Sequence, residues 1–481
     1  MSSDDRRPNF VFIFADDWGW GDLGCYGHPH IRTPNLDRLA SEGTLFSQFY
    51  VCSGVCSPSR AAVMTGQFPA RHGIHGHFAS HEMNERRGMP NCLDPAAPTY
   101  VSLLREAGYR VGHFGKWHLG HGEGLPEPTE YGIEEARVNA GNGPQLEYSR
   151  QEWEPGLRSR SSEFIVDHTM RFIEEHQEEP FLVNVWLNDT HAILDPSEDQ
   201  TEPYQHLMPD LVGEKDRGAL SIYYGTATGA DREIGWLLDR LDELDLADNT
   251  VVIFSSDNGP EDILVHNASH SGVGSAGPFR GRKRSLYEGG VRTPFILRWP
   301  AGGGPRGVVD NTTPLCGVDL MPTFCRLAGV DLPDEVPLDG EDMSDVFRGA
   351  QRGRETPLMW EWRFRIFGHP LHRSPVLAVR EGDWKLLLNP DRSRVELYNV
   401  PEDPSEMNDL SDEESRVVDR LAERVLDWQS TLPAGPVLRS AGSNYYPWPG
   451  EPESAGPGGG MWRPQWYEER TNEECRMRNE E

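Results

Sequence analysis

Lysine is nearly missing from this chain: of its 46 basic residues only Lys116, Lys215, Lys283 and Lys385 are lysine, and the rest are arginine. Positive charge is scarce altogether against 77 Asp and Glu, and the resulting net charge of −31 excludes a nucleic-acid partner, because counterion release needs a basic surface. Acid excess with few lysines suits a surface built for high salt, where a Debye length of about 3 Å near 1 M removes self-repulsion. A GC-rich genome that writes arginine for lysine leaves the same bias, and composition does not separate the two. Long apolar runs are absent as well. No stretch approaches the ~20 residues of a membrane-spanning helix, and MSSDDRRPNF at the N-terminus has no apolar segment before the first strand-like run. The chain as written is therefore read as cytoplasmic and without a membrane partner, while a periplasmic or secreted protein whose leader had been cleaved would read the same. Seven cysteines, at 25, 52, 56, 92, 316, 325 and 475, form no repeated CxxC, so neither a disulfide scaffold nor a structural zinc module is expected.

What the chain does have is strand-like runs that stop abruptly at polar residues. NFVFIFA (9–15) ends in Asp16-Asp17, YRVGHFG (109–115) in Lys116, FLVNVWL (181–187) in NDTH, and TVVIFSS (250–256) in Asp257-Asn258. Helix-like segments alternate with them at 34–43, 100–109, 162–177 and in the stretch ending 231–249. Continuous apolar strands alternating with helices predict an α/β protein with a doubly wound, mostly parallel sheet flanked by helices, in which ligands lie beyond the carboxyl ends of the strands. Four polar strand ends would then converge on one crevice. After TPFILRWPAGGG (293–304) the rhythm changes, and 374–390 with 395–400 reads as antiparallel strands followed by a helix at 412–432. The expected organisation is a catalytic domain over 1–360, a smaller α+β C-terminal domain with an antiparallel sheet over 361–432, and a Gly/Pro-rich tail over 433–481. That tail carries Tyr445, Tyr446, Trp448, Trp462, Trp466 and Tyr467, enough aromatics that packing on the body is expected.

Asp16, Asp17, Asp257 and Asn258 offer oxygen donors alone, which favours Ca²⁺ or Mg²⁺ over zinc; one Asp-Asp pair after a strand could equally be a turn or helix cap. SPSRAAVMTG (57–66) reads as a helix start, with Ser57 as cap, Pro58 in the first helical position and Gly66 as the stop. Cys56 would then lie at the positive end of a helix with Arg60 one turn away. It could be a buried structural thiol, an anion-facing residue or a low-pKa nucleophile, although a soft thiolate suits an all-oxygen hard-cation site poorly.

C-S-P-S-R-x4-T-G, from Cys56 to Gly66, resembles the signature of the formylglycine-dependent sulfatases of the alkaline phosphatase superfamily. FADDWGWGDLGCYG (14–27), GKWHLG (115–120), NDTHA (188–192), SSDNGPE (255–261) and GRKRSLYEGGVRTPFILRWP (281–300) resemble further sulfatase blocks in the same order, most like N-acetylgalactosamine-6-sulfatase and arylsulfatase-like carbohydrate sulfatases. The likeness runs from about residue 8 to 400, with REGDWKLLL and ELYNVPEDPSE similar to the family's C-terminal domain. It implies an alkaline-phosphatase-like fold and sulfuric ester hydrolysis. It further implies that a formylglycine-generating enzyme oxidises Cys56, so that oxygen replaces sulfur, and that Asp16, Asp17, Asp257, Asn258 and modified Cys56 hold one Ca²⁺ or Mg²⁺. Arg60, Lys116, His118, His191 and Lys283 match the residues that hold the formylglycine and the sulfate of a sulfated small molecule or saccharide. In the implied reaction one hydroxyl of the hydrated aldehyde attacks sulfur, His191 or Lys283 protonates the departing alcohol, and His118 takes the proton that lets sulfate leave. A phosphate or phosphonate ester hydrolase of the same superfamily is the nearest alternative, although two-zinc members would need an Asp-His pair where this chain has Asp257-Asn258. An inactive sulfate-sugar binder would result if Cys56 stayed unmodified. Because the chain is so acidic, its anion pocket is expected to be locally positive, with Arg282 and Arg284 beside Lys283 or paired with carboxylates.

Overall fold

The structure is a computed structural model that describes residues 7–120, 122–139, 158–207, 218–262, 270–333, 336–366, 368–438 and 440–444. Strands β1 (Asn9–Ala15), β2 (Thr44–Tyr50), β3 (Arg110–Lys116), β4 (Glu135–Asn139), β5 (Phe181–Trp186), β6 (Thr250–Ser256), β7 (Arg292–Arg298), β8 (Val308–Asp310) and β9 (Leu315–Cys316) form one sheet. Its order is β4-β3-β5-β1-β6-β7-β2-β8, with β9 also on β2. Only β7 runs against its neighbours β6 and β2; the other pairs are parallel. The mostly parallel α/β sheet read from the alternation is thus present, and the four runs that end in polar residues are the adjacent strands β3, β5, β1 and β6.

The sequence of β1 explains why the strand is apolar throughout. Phe10, Phe12 and Phe14 point into one core, and Val11, Ile13 and Ala15 into the other. A strand covered on both faces has no solvent side on which to place polar residues. The second face carries helices Pro34–Glu42, Ser161–Glu175 and Ala219–Glu243, the last being 25 residues long and ending inside the expected 231–249 segment. The first face continues into β10 (Leu358–Glu361), β11 (Leu377–Glu381), β12 (Trp384–Leu388) and β13 (Val395–Asn399), an antiparallel sheet, with helix Ser415–Ser430 packed on it. The expected aromatic packing of the tail falls on 445–481, outside the described residues. At its start, Arg363 donates from Nη2 to Pro433 O (3.1 Å) and accepts the Leu438 N–H at its own carbonyl (3.0 Å).

One buried group on β3 makes the fold sensitive to acid. His113 lies edge-on to Trp117 and Trp186, with ring centroids at 5.1 and 4.6 Å. Its Nε2 is 3.2 Å from Lys116 O and its Nδ1 3.4 Å from Asn184 Nδ2, a pattern that puts the single proton of a neutral ring on Nε2. Burial, aided by the Arg60 charge, depresses its pKa to about 3. A depressed folded value means stability that is whole above about 6.5, the unfolded pKa, and lost as pH falls toward 3. Urea unfolding should therefore show stability dropping across this window, with a shallower slope in His113→Gln; equal slopes would remove His113 as the source.

Candidate active site

Parallel strands carry their last residues to one edge of the sheet, and cross-links between the loops fix them there. Asp16 N–H donates to Asp189 O (3.1 Å), Thr190 N–H to Asp16 O (2.7 Å), and Asp257 N–H to Ala15 O (3.1 Å). Asp17 takes the left-handed region at φ 63°, uncommon for a non-glycine residue, and its N–H donates to Asp257 Oδ1 at 3.2 Å. Asp16, Asp17, Asp257 and Asn258 are each at most 1% exposed.

Residues 56–65 form a helix whose first residue is Cys56, and Gly66 ends it at φ 66° with its N–H on Ala62 O. The expected cap is not Ser57. The helix starts two residues earlier, extended Val55 occupies the cap position without a side-chain bond, and Ser57 Oγ accepts the Phe78 N–H at 3.0 Å instead. Cys56 thus lies at the positive helix end, with Sγ 3.1 Å from His118 Nδ1. Cys52, outside the signature, lies in the core with Sγ 3.5 Å from that of Cys316.

The charged residues expected from the sequence meet around these carboxylates. Arg60 donates from Nε (3.0 Å) and Nη2 (2.7 Å) to Asp257 Oδ2, and its guanidinium lies over Phe14 and Trp186. Lys116 Nζ is 2.6 Å from Asp16 Oδ2, and Lys283 Nζ is 2.5 and 2.7 Å from the two Asp17 oxygens. His191 Nε2 is 3.7 Å from Asp17 Oδ2, while its Nδ1 lies 2.7 Å from Ala192 O. Arg158 holds this loop by donating to His191 O (2.6 Å) and Ile193 O (2.9 Å). Of the basic run around Lys283, Arg284 pairs with the Glu261 carboxylate, whereas Arg282 donates to the carbonyls of Glu261, Gly272 and Gly274. Glu261, 3.6 Å from Lys283 Nζ, was not singled out by sequence, although it closes the SSDNGPE block.

Electrostatics in this cluster pull in opposite directions. Burial would raise Asp16, but Lys116, with His191, Arg60 and Lys283, holds it well below the carboxylate range. Burial, reinforced by the Asp16 charge, pushes Asp257 up to about 8 against the pull of Arg60. Burial depresses both His118 and His191, the latter to about 4. Lys283 is raised by Asp17 and Glu261 in spite of its burial.

The donor set fits a hard divalent ion. Ligand atoms of Asp16, Cys56 and Asp257 lie within 4.8 Å of one another, as do those of Asp16, Asp17 and His191. Asp16 Oδ1 and Asn258 Oδ1 are buried oxygens that accept no hydrogen bond among the described residues. Oxygens left without a partner are costly unless something else uses their lone pairs, and oxygen donors select Ca²⁺ or Mg²⁺.

A parallel-sheet crevice with clustered carboxylates, lysines and a helix-terminal cysteine places the protein among the hydrolases of alkaline-phosphatase-like fold. Residues 8–330 match the family described as Sulfatase, and residues 277–431 match "N-sulphoglucosamine sulphohydrolase, C-terminal". The chain is similar to human arylsulfatase A, with 32% identity over 79% of this chain and 74% of that protein. It is also similar to an N-acetylgalactosamine-6-O-sulfatase of Bacteroides thetaiotaomicron, with 27% identity over 87% and 92% of the two chains. Among solved structures, Ps i-CgsB in complex with k-i-k-neocarrahexaose superposes with a TM-score of 0.74 and 26% identity over 92% of this chain and 97% of that one. The chain belongs to the sulfatase family and is a sulfuric ester hydrolase.

Proposed function

We propose that the protein releases sulfate from a sulfated carbohydrate, with Cys56 matured to formylglycine by a formylglycine-generating enzyme and one Ca²⁺ or Mg²⁺ held by Asp16, Asp17, Asp257, Asn258 and the side chain at 56. The observation that carries this reading is the position of Cys56, first in its helix, within 4.8 Å of Asp16 and Asp257 oxygens and 3.1 Å from His118. The bound ion would supply Lewis acidity, and the matured residue an oxygen nucleophile compatible with it. Lys116 and Lys283 orient the ligand carboxylates of Asp16 and Asp17 and add positive charge beside the place where sulfate oxygens would lie. Arg60 holds Asp257 through two donors from one buried guanidinium.

The histidines divide by geometry. His118 Nε2 lies 3.2 Å from Phe78 O, which fixes the proton there and turns the Nδ1 lone pair toward position 56. It would take a proton from that side chain. His191, anchored through Nδ1 to Ala192 O, presents Nε2 to the crevice, where it or Lys283 would face the departing alcohol. His118→Ala is therefore expected to lower kcat by about 10²–10⁴-fold, the usual worth of general acid–base help. A kcat within about threefold of wild type would remove that role.

The saccharide class is supported by relatives named for N-acetylgalactosamine-6-sulfate hydrolysis and by the superposable structure solved with k-i-k-neocarrahexaose. Sulfate release from an aryl sulfate, measured beside a panel of defined sulfated saccharides, tests the reading. Phosphate or phosphonate esters turned over faster than every sulfate would overturn it.

A further inference from the structure

A cavity of about 490 Å³ opens at the far edge of the main sheet, and none of the catalytic candidates lines it. Its origin is a break in the strand ladder. β8 pairs with Thr44–Phe46 and β9 with Phe49–Tyr50, while the β2–β7 register shifts between Phe46 and Phe49. Ser47 and Gln48 are thus left without a strand partner on that edge, and the turn from β11 to β12 closes the opposite wall.

The floor of the cavity holds an excess cation. Arg380, 4% exposed, donates from Nε to Gly382 O (3.3 Å), from Nη2 to Gln48 Oε1 (2.6 Å) and from Nη1 to Tyr50 Oη, all neutral acceptors. Its neighbours balance each other more closely. Lys385 lies between Glu288 (2.8 Å) and Glu406 (3.0 Å), and Arg292 is 3.1 Å from Glu288. Three buried cations therefore share two carboxylates, and the cavity is lined by Arg292, paired with Glu288, by Arg354, paired with Asp319, and by Arg380, the guanidinium among them without a carboxylate among the described residues. A guanidinium has five N–H groups in a planar fork matched to carboxylate and sulfate, so two remain for a ligand. The volume is of ligand size rather than that of a bare oxyanion, since small-molecule sites span roughly 300–1,000 Å³ and a water takes about 30 Å³. Ser47 and Thr356 add hydroxyls, and Leu358 and Pro401 add apolar surface, the mixture that a sugar ring presents in return. Exposed Glu355 and Asp383 at the mouth are screened over about 8 Å at physiological ionic strength, whereas the buried guanidinium is not.

We propose that this cavity is a second, non-catalytic site for an acidic saccharide, whose carboxylate or sulfate group rests on Arg380. The inference goes beyond the proposed reaction and does not depend on it, so a failure to release sulfate from any ester would leave it standing. Gly353 gives the cleanest test. It lines the mouth, a Cβ there would meet nothing within 4 Å, and its φ is not positive, so Gly353→Trp can fill the space without strain. Titration calorimetry of the full chain with glucuronic acid, glucose and sodium sulfate, at one ionic strength, should show glucuronate binding at least about tenfold tighter than either of the others. Gly353→Trp and Arg380→Gln should each weaken glucuronate by about tenfold or more, with aryl sulfate turnover by Gly353→Trp within about twofold of wild type. If Arg380→Gln does not fold, Gly353→Trp alone decides. Unchanged glucuronate affinity in Gly353→Trp overturns the site, and equal binding of glucose and glucuronate overturns the role of Arg380. Sulfate binding as tightly as glucuronate would assign the cavity to the free ion and overturn the saccharide.

Discussion

Cys56→Ala is expected to abolish sulfate release, by at least about 10⁴-fold, while the protein stays folded. The two halves of that expectation have separate physical grounds. Alanine is the best helix former, and the side chain lost is small, so the 56–65 helix should form with its Gly66 stop intact. The chemistry has no such reserve, because no other described side chain combines a helix N-terminus, two carboxylates within 4.8 Å and His118 at 3.1 Å. The same position gives a signature that needs no assay. Conversion of thiol to aldehyde should lower the mass of the tryptic peptide covering 39–60 by about 18 Da in protein matured by a competent host. Wild-type turnover by Cys56→Ala, with circular dichroism unchanged, would end the reading of residue 56 as nucleophile.

How much of this was legible in the sequence follows from how local each signal is. β1 and β6 were read to the residue, because a strand buried on both faces is apolar from end to end and its carboxylates mark where it stops. That Asp16, Asp17, Asp257 and Asn258 lie together at the strand ends was legible for the same reason. TLFSQFY, now β2, gave no comparable signal, since its Ser47 and Gln48 serve a ladder break that only the partners β8 and β9 reveal. The Ser57 cap failed by two residues, as helix starts do when tertiary contacts such as Phe78 N–H compete for the hydroxyl. Partners distant in the chain were less legible: a carboxylate was expected as one possible partner of Arg284 but not identified as Glu261, and neither Arg158 behind His191 nor the surroundings of Lys385 gave a signal. Lys116, Lys283 and Lys385 are all buried against carboxylates, two of them in the site and the third in a polar cluster under the C-terminal sheet.

In that third cluster, two glutamates contact one ammonium yet should differ widely in worth. Glu288 and Glu406 are both fully buried, with carboxylate oxygens 2.8 and 3.0 Å from Lys385 Nζ. Glu288 also accepts from Tyr50 Oη (2.7 Å) and Arg292 Nη1 (3.1 Å). Burial would raise it, but Lys385, Arg292 and Arg380 bring it down to about 2, so it is the ionised member. Burial and the Glu288 charge push Glu406 up to about 7 against the pull of Lys385, 3.0 Å from its Oε1, while Oε2 accepts the Glu288 N–H at 2.6 Å. Glutamine reproduces that last bond but not a negative charge. Glu288→Gln should thus cost about 3–5 kcal/mol at pH 7, because it leaves buried cations that cannot be neutralised, and Glu406→Gln no more than about 1.5 kcal/mol. The pH dependences have opposite signs. A depressed carboxyl gives stability that is present above its ordinary value of 4.5 and lost as pH falls through about 2, so the deficit of Glu288→Gln should close on acidification. A raised carboxyl gives stability that is present below 4.5 and lost as pH rises through about 7, so Glu406→Gln should gain on wild type in mild alkali. Urea unfolding of wild type and the two variants between pH 3 and 9 measures both effects, and equal costs at pH 7 would show that the pair shares its charge evenly rather than placing it on Glu288.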